Sequence, residues 1–270
     1  MMVDKELALE RTLVSMGSVI VAYSGGVDSA YLAYAAGHAL GRRAWAVTAD
    51  SPSYPAHHRA LAVQVAAQFG LNHEIIRTTE IDLPQYRANP TNRCYYCKHE
   101  LYTHLLRLAS ERGAVVVDGS NADDRADYRP GRQAARELGV RSPLDEVALT
   151  KQEIRDLSRR AGLQVWDEPA SACLSSRIPY HTEVTIEALK MIERAEGAIR
   201  ALGFRLCRVR HHGDRAHVEI DRDELARAVA PETHACIVKE LTAAGYRQVT
   251  IDPRGYRTGS LNEGLVLRPV

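Results

Sequence analysis

The chain predicts an α/β fold, a mostly parallel sheet with helices on both faces, followed by a smaller C-terminal α+β domain. Three observations carry this. From residue 19 to about 165, short runs rich in β-branched residues alternate with helical stretches, as strands joined by helical crossovers do. At the end of the first run, Ser24-Gly25-Gly26-Val27-Asp28-Ser29 turns the chain from strand to helix. After Pro169 the character changes, with a loop of small residues and then helices interleaved with short strands.

Taken in order, Val19-Ile20-Val21-Ala22-Tyr23 is continuously apolar, as a strand buried on both faces requires, and strands are expected at 18–23, 43–49, 73–77 and 114–118. Helices are expected between them at 30–40, 57–69, 98–111 and 131–138. Thr150 with Glu153 forms a capping box that opens a helix to Ala161, and Gly162 stops it. Residues 171–180 read as a loop and 185–202 as a helix. Strands 205–210 and 216–220 then make a hairpin around His211-His212-Gly213-Asp214, before helices at 222–230 and 231–244 and a last strand at 248–251. The expected domains are 1–170, which binds nucleotide, and 171–270.

Composition narrows the function. At 270 residues and 45% apolar content the chain can bury a real core. With 35 basic and 34 acidic residues the net charge is +1, which argues against a nucleic-acid-binding surface or a membrane-surface role and for a small substrate. No apolar run approaches the eighteen or so residues of a membrane span, and the start is charged rather than signal-like, so a cytoplasmic location is expected. Five cysteines, an odd number without a secretory signal, point to reduced thiols, metal binding or catalysis rather than disulfides.

The 24–29 turn suits phosphate. A strand that breaks into a helix aims unpaired backbone N–H groups and the positive helix end at one point. Gly25 and Gly26 let the backbone approach an anion, and Ser24 and Ser29 add hydroxyls. Asp28 would repel that phosphate unless a divalent cation sits between them, so Mg²⁺ is implied. An ordinary glycine-containing turn is the plainer alternative, but both serines and the aspartate fall in place. The run 118–131, with four aspartates at a strand's C-terminal end, is where open α/β sheets bind ligands.

Cys94-Tyr95-Tyr96-Cys97 at a helix start points two sulfurs the same way, which fits a metal, a cluster or a redox pair. Cys207 and Cys236 read as small core hydrophobes. Cys173 differs, lying in a loop of small residues with Arg177 close by in sequence, which favours thiolate. If it joined Cys94 and Cys97, three thiolates would be one short of a closed zinc site but would suit a [4Fe–4S] cluster with one open iron. On the hairpin, Arg208 and Arg210 share one face and His217 and Glu219 another polar one, which is either a solvated sheet surface or a grip for a phosphate monoester.

The 24–29 loop resembles that of the PP-loop ATP pyrophosphatases. Together with Ala49-Asp50-Ser51-Pro52, Arg93-Cys94-Tyr95-Tyr96-Cys97-Lys98, the 118–131 run, Arg141-Ser142-Pro143-Leu144, the 166–174 segment, Arg208-Val209-Arg210-His211-His212-Gly213-Asp214 and the 255–262 segment, the whole chain resembles the LarE family. That resemblance implies an ATP- and Mg²⁺-dependent sulfurtransferase. It would adenylate a carboxylate of pyridinium-3,5-biscarboxylic acid mononucleotide and replace AMP by sulfur, toward a nickel-pincer cofactor. It implies a homo-oligomer, commonly a hexamer, with the second domain serving substrate binding and oligomerisation. Carried over residue by residue, Cys173 is the sulfur-donating position and Arg208 and Arg210 bind the substrate phosphate. Glu196, Glu219 and Arg257 match further active-site positions, Glu219 as a candidate metal ligand and Arg257 beside the phosphate. Having Cys94 and Cys97 besides Cys173, the chain resembles a subgroup that carries sulfide on a [4Fe–4S] cluster, rather than members that sacrifice the single cysteine. Sacrificial sulfur donation by Cys173 in the same reaction, thiolation of tRNA, and a zinc- or nucleotide-binding module without turnover, with His99 or another residue completing the Cys94/Cys97 site, are the rival readings.

Overall fold

The computed structural model describes residues 2–126, 129–169, 172–257 and 259–262. Within these, the chain forms two compact units, one within Met1–Glu80 and Asn92–Ser171, the other within Ile81–Thr91 and Ala172–Leu267.

The first unit opens with helix α1 (Met2–Met16), which buries Leu9 and Leu13. No helix is expected there from the sequence, whose start is marked only by its charge. The two leucines are four apart and lie on one face, and ion pairs with Glu153 and Arg160 tie its charged side to the same unit. Strand β1 (Val19–Ala22) follows, buried along its whole length. Helix α2 (Val27–Leu40), strand β2 (Ala44–Asp50), helix α3 (Ala56–Gln68) and strand β3 (Asn72–Arg77) complete two crossovers. Alanines at 30, 33 and 36 let α2 press closely on its neighbours, and all three are buried.

A short helix α4 (Pro84–Arg87) belongs to the other unit, and the long helix α5 (Arg93–Arg112) leads to strand β4 (Val115–Val117). The sheet order is β3-β2-β1-β4, every pairing parallel. The order reverses at β1, which places the crevice outside the carboxyl ends of β1 and β4 at the topological switch point. Helices α6 (Pro130–Glu137), α7 (Pro143–Glu146) and α8 (Lys151–Arg160) follow. The capping box is present, with Thr150 Oγ1 accepting from the Glu153 amide and Glu153 Oε2 accepting from the Thr150 amide at 2.9 Å. Apolar clusters lie on both sides of the sheet, one against α1, α2 and α8 and the other against α5 and α6.

In the second unit, Thr185 caps helix α9 (Ile186–Ala201). Strands β5 (Cys207–His212) and β6 (Arg215–Ile220) form the expected hairpin; helices α10 (Leu225–Val229) and α11 (Pro231–Ala244) and strand β7 (Gln248–Ile251) follow. The sheet order is β5-β6-β7, antiparallel then parallel. Cys207, Val209, Ala216, Val218 and Ile220 pack on α9 and α11, so the alternate residues Arg208, Arg210, His217 and Glu219 take the opposite face. Segment Ile81–Thr91 is stitched into this unit: the Asn89 side chain donates to the carbonyls of Ile178, Pro179 and Thr182, and Tyr86 Oη lies 2.6 Å from Ser175 Oγ. A single boundary at 170 does not capture this crossing. Among the described residues no helix is long and apolar enough to cross a membrane.

Candidate active site

The loop after β1 is held from within. Ser29 Oγ accepts from the Ser24 amide, donates to the Gly26 carbonyl and lies 3.1 Å from Ser24 Oγ. Ser29 is therefore buried and works as a staple, while Ser24 is exposed. Gly25 has φ +69°, and a Cβ there would meet Ala62 Cβ at 2.7 Å and Ala62 Cα at 2.9 Å. Glycine is required at that position by backbone and packing alike. Gly26 is different: a Cβ there would meet only Ser24 Oγ, at 3.7 Å. Packing against the described residues does not demand a glycine there. Gly26 is the N-cap of α2, with no side-chain cap, so the first-turn amides of that helix face the crevice without intrahelical acceptors.

Asp28 sits at this helix start. Its Oδ2 pairs with Lys151 Nζ at 2.5 Å, and its Oδ1 is buried with no hydrogen-bond partner among the described residues. A carboxylate oxygen taken from water without a donor is costly, and a divalent cation answers that cost, so the residues fit Mg²⁺. Lys151 was not visible as a site residue in the sequence, lying 123 residues from its partner behind an ordinary helix cap. Gly119 was likewise missed: a Cβ there would come within 2.9 Å of the Ser29 amide nitrogen, so the chain after β4 closes tightly on the phosphate loop.

The run after β4 divides into support and electrostatics. Asp118 accepts from Tyr102 Oη, Ser142 Oγ and the Ser120 amide, and is spent on shaping the loop. Burial, with Asp118 alongside, pushes the Tyr102 phenol well up. Asp123 Oδ2 accepts from the Lys151 amide at 2.8 Å and so fixes the start of α8. Burial raises the Asp124 carboxyl despite its 2.9 Å pair with Arg129, and Asp28 adds to the rise. Asp127 and Tyr128 of this run lie outside the described residues, as do Ala170 and Ser171 before Cys173 and Thr258 of the 255–262 segment.

Helix α5 starts earlier than expected, so Cys94 and Cys97 lie inside its first turns, Cys94 exposed and Cys97 partly so. Cys173 belongs to the second unit, partly exposed, at the N-cap of a 3-10 turn, Leu174–Arg177. Among the described residues, no group of three or more His, Cys, Asp or Glu side chains is placed to hold a metal ion. Cys94, Cys97 and His99 belong to the first unit and Cys173 to the second. Cys207 is buried as expected and its thiol is pushed up to about 12, first by burial. Cys236 is exposed, against expectation, because α11 turns Ile237, Leu241 and Ala244 inward and its neighbour one step round the helix outward.

On the outer sheet face of the second unit, charges are paired in detail. Arg210 donates to both oxygens of Glu219 at 3.1 and 2.8 Å, to the Ser176 carbonyl and to Ser260 Oγ. Ser260 also donates to Glu219, so both oxygens of that carboxylate are engaged by protein groups rather than open to a metal. Arg208 shares Arg210's face but is buried, donating to the Cys207 carbonyl, with its guanidinium 5.3 Å from the Tyr256 ring centre. Burial, then the facing Arg177 charge, lowers its pKa.

A cleft of about 280 Å³ opens here, lined on its basic side by Arg210, His212, His217, Arg254 and Arg257 and on its acidic side by Glu219 and Asp252. Of the residues expected on phosphate, Arg210 and Arg257 line it, and Arg208 lies behind Tyr256. His217 and Arg254 were missed; the period-of-two pattern marked His217 only as polar. Burial pushes the Asp252 carboxyl up, but the Arg254 amide, His217, and the Arg254 and Arg257 guanidiniums outweigh it and hold it at about 2. Glu196 does not reach the cleft: it is wholly buried, bidentate with Arg177 at 2.8 and 3.0 Å. Burial raises its carboxyl, and the ion pair more than offsets that, leaving it lowered.

The asparagine synthase family profile, which describes a PP-loop domain, matches residues 6–123. Pyridinium-3,5-bisthiocarboxylic acid mononucleotide synthase of Lactiplantibacillus plantarum is 33% identical over 97% of this chain and 95% of its own length. The chain belongs to the LarE family. Other relatives are an uncharacterised protein of Synechocystis sp., 44% identical over 91% of this chain and 92% of its own, and one of Methanocaldococcus jannaschii, 28% identical over 89% and 91%. The 24–29 segment lies within the part that the family profile matches, and the profile ends at Asp123, so the outer-sheet cleft lies wholly beyond it.

Proposed function

We propose that this chain is an ATP-dependent sulfurtransferase that adenylates a carboxylate of pyridinium-3,5-biscarboxylic acid mononucleotide and converts it to a thiocarboxylate, in nickel-pincer cofactor biosynthesis. The observation that carries the nucleotide half is the loop with amides directed into the crevice and a buried, unpartnered Asp28 oxygen. The substrate half is supported by the near full-length likeness to the Lactiplantibacillus synthase.

In this reading the 24–29 amides and the α2 dipole bind the ATP phosphates, and Asp28, steadied by Lys151, holds magnesium. A magnesium ion held by Asp28 would supply positive charge beside the phosphates. The substrate carboxylate attacks the α-phosphorus, pyrophosphate leaves, and an acyl adenylate results. Arg210 and Arg257 orient the mononucleotide phosphate, each charge-assisted contact being worth about 1.5–3 kcal/mol. The Cys173 thiolate then attacks the acyl carbon and AMP departs with the bonding electron pair. Loss of the Cys173 Cα proton with cleavage of its Cβ–S bond releases the thiocarboxylate and leaves dehydroalanine.

Cys94 and Cys97, three apart in the first turns of α5, favour a second reading in which the sulfur comes from a cluster-bound sulfide. One experiment tests both. The chain, prepared without oxygen, is mixed with ATP, Mg²⁺ and the biscarboxylic mononucleotide, and pyrophosphate, product mass, iron content and the mass of Cys173 are followed. Pyrophosphate and thiocarboxylate formed together, with one H₂S lost at Cys173, are expected. About four irons per chain with Cys173 intact would establish the second reading. No substrate-dependent pyrophosphate would overturn the function.

A further inference from the structure

The Arg177–Glu196 pair is the most deeply buried charge in the second unit, at 2% and 0% exposure, and the chemistry proposed above does not use it directly. Its bonds run in two directions. Arg177 Nη1 lies 2.9 Å from the Ala172 carbonyl oxygen, 3.1 Å from that of Cys173 and 2.8 Å from Ser176 Oγ, so one guanidinium nitrogen gathers the backbone on both sides of the thiol-bearing residue. Its Nε and Nη2 fork onto the two oxygens of Glu196. Glu196 Oε1 in turn accepts the Val209 amide at 3.0 Å. Val209 lies between Arg208 and Arg210 on β5, and Arg210 reaches back to the Ser176 carbonyl at 2.8 Å. The path from Cys173 to β5 thus closes on itself.

A fold alone gives weak reason to keep this arrangement, since buried ion pairs are often replaceable by apolar residues of similar volume without loss of stability. A guanidinium offers a planar fork that a single ammonium cannot, and here it serves two backbone carbonyls, a hydroxyl and a carboxylate at once. We infer that Arg177 and Glu196 are positioning residues that fix the Cys173 backbone to the strand carrying Arg208 and Arg210, setting thiol and phosphate grip at one distance. The functional side of this rests on Cys173 being the sulfur donor; the mechanical side does not.

Three measurements test it. R177K keeps the charge facing Glu196 but cannot reach both carbonyls, and R177M/E196Q removes the ion pair while leaving an acceptor for the Val209 amide. In both variants, checked for folding by circular dichroism, iodoacetamide labelling of Cys173 should rise at least fivefold, with Cys94 and Cys236 on the same chain as internal references. Single-turnover thiocarboxylate formation should fall at least tenfold. A merely structural pair predicts that any variant with parent-like melting behaves like the parent. Labelling or product formation within twofold of the parent, in either folded variant, overturns the inference. On the unaltered chain, amides 174–177 should exchange hydrogen as slowly as those of 208–210, and fast independent exchange of the first group also overturns it. If the parent makes no thiocarboxylate, the proposed function fails, while labelling and exchange still decide whether the pair positions Cys173.

Discussion

The 24–29 loop keeps bonding capacity unspent, whereas the paired charges of the second unit have spent nearly all of theirs. At the loop, an Asp28 oxygen is buried without a partner among the described residues, and Gly26 lacks a side chain although these leave room for one. In the second unit, Arg177–Glu196 in the interior and Arg210–Glu219 on the sheet face are bidentately paired, and Arg210 holds a carbonyl and a hydroxyl besides. Unsatisfied buried groups need a ligand to complete them; satisfied ones hold a shape to which a ligand is added. The same residue types therefore serve binding in one place and architecture in the other.

The sharpest way to break this comparison is within the loop. Gly25→Ala forces a strained φ and a clash with α3, so it should lower stability by about 1–3 kcal/mol and abolish pyrophosphate release. Gly26→Ala should melt like the parent and still lose release by roughly 10²-fold or more, in the range of removing preorganised transition-state contacts. Parent-like release from Gly26→Ala, read in a coupled pyrophosphate assay, would remove the argument that its missing side chain makes room for phosphate.

In the second unit, Arg210→Ala leaves Glu219 buried with Ser260 as its partner among the described residues, and should cost about 3–5 kcal/mol in denaturant unfolding. Arg257→Ala, by contrast, should shift unfolding by no more than about 1 kcal/mol, Asp252 keeping its His217 and Arg254 partners. It should still weaken mononucleotide binding roughly tenfold or more, as measured by calorimetry. Equal unfolding costs for the two arginines would erase the distinction between a cleft arginine that also holds the fold and one that does not. Asp28→Asn comes third: Mg²⁺-dependent thermal stabilisation by ATP should vanish and release should fall about 10²-fold, with mononucleotide binding unchanged.

The smallest effect is on pH. Asp252 is held at about 2 in the folded chain, against roughly 4 when unfolded. A carboxyl lowered by folding contributes stability that is complete above its unfolded value and is lost as pH falls through the folded one. The melting temperature should therefore decline between about pH 4 and 2 less steeply in Asp252→Asn than in the parent. An unchanged slope would mean that the cluster around Asp252 does not act as one.

What could be read from the sequence is what local rules govern. The four parallel strands, the capping box at Thr150 and the hairpin follow from period and cap chemistry within a few residues, and all appear where those rules put them. Helix α1 was missed because only Leu9 and Leu13 become buried while Val3, Leu7 and Val14 stay exposed, which blurs its apolar stripe. Lys151, Gly119 and the Arg177–Glu196 pair depend on long-range partners that no short motif announces. Cys236 misled because an apolar neighbour in sequence is a turn of 100° away on a helix. Arg208 and Arg210 shared a face as the strand period required, yet their fates diverged, since burial under Tyr256 is a property of tertiary packing.

The passage of Ile81–Thr91 into the second unit bears on how this protein can be divided. A polypeptide severed after residue 170 would keep every catalytic motif of its carboxyl half, yet that half would lack Tyr86 and Asn89. The Ser175 hydroxyl and the carbonyls of Ile178, Pro179 and Thr182 would lose the side chains that hold them, and the stretch bearing Cys173 would lose its anchor. The carboxyl half is thus no interchangeable module: gene fusions, domain swaps and recombination breakpoints at 170 should yield an incomplete body, whereas exchanges that carry the eleven-residue thread with it should not.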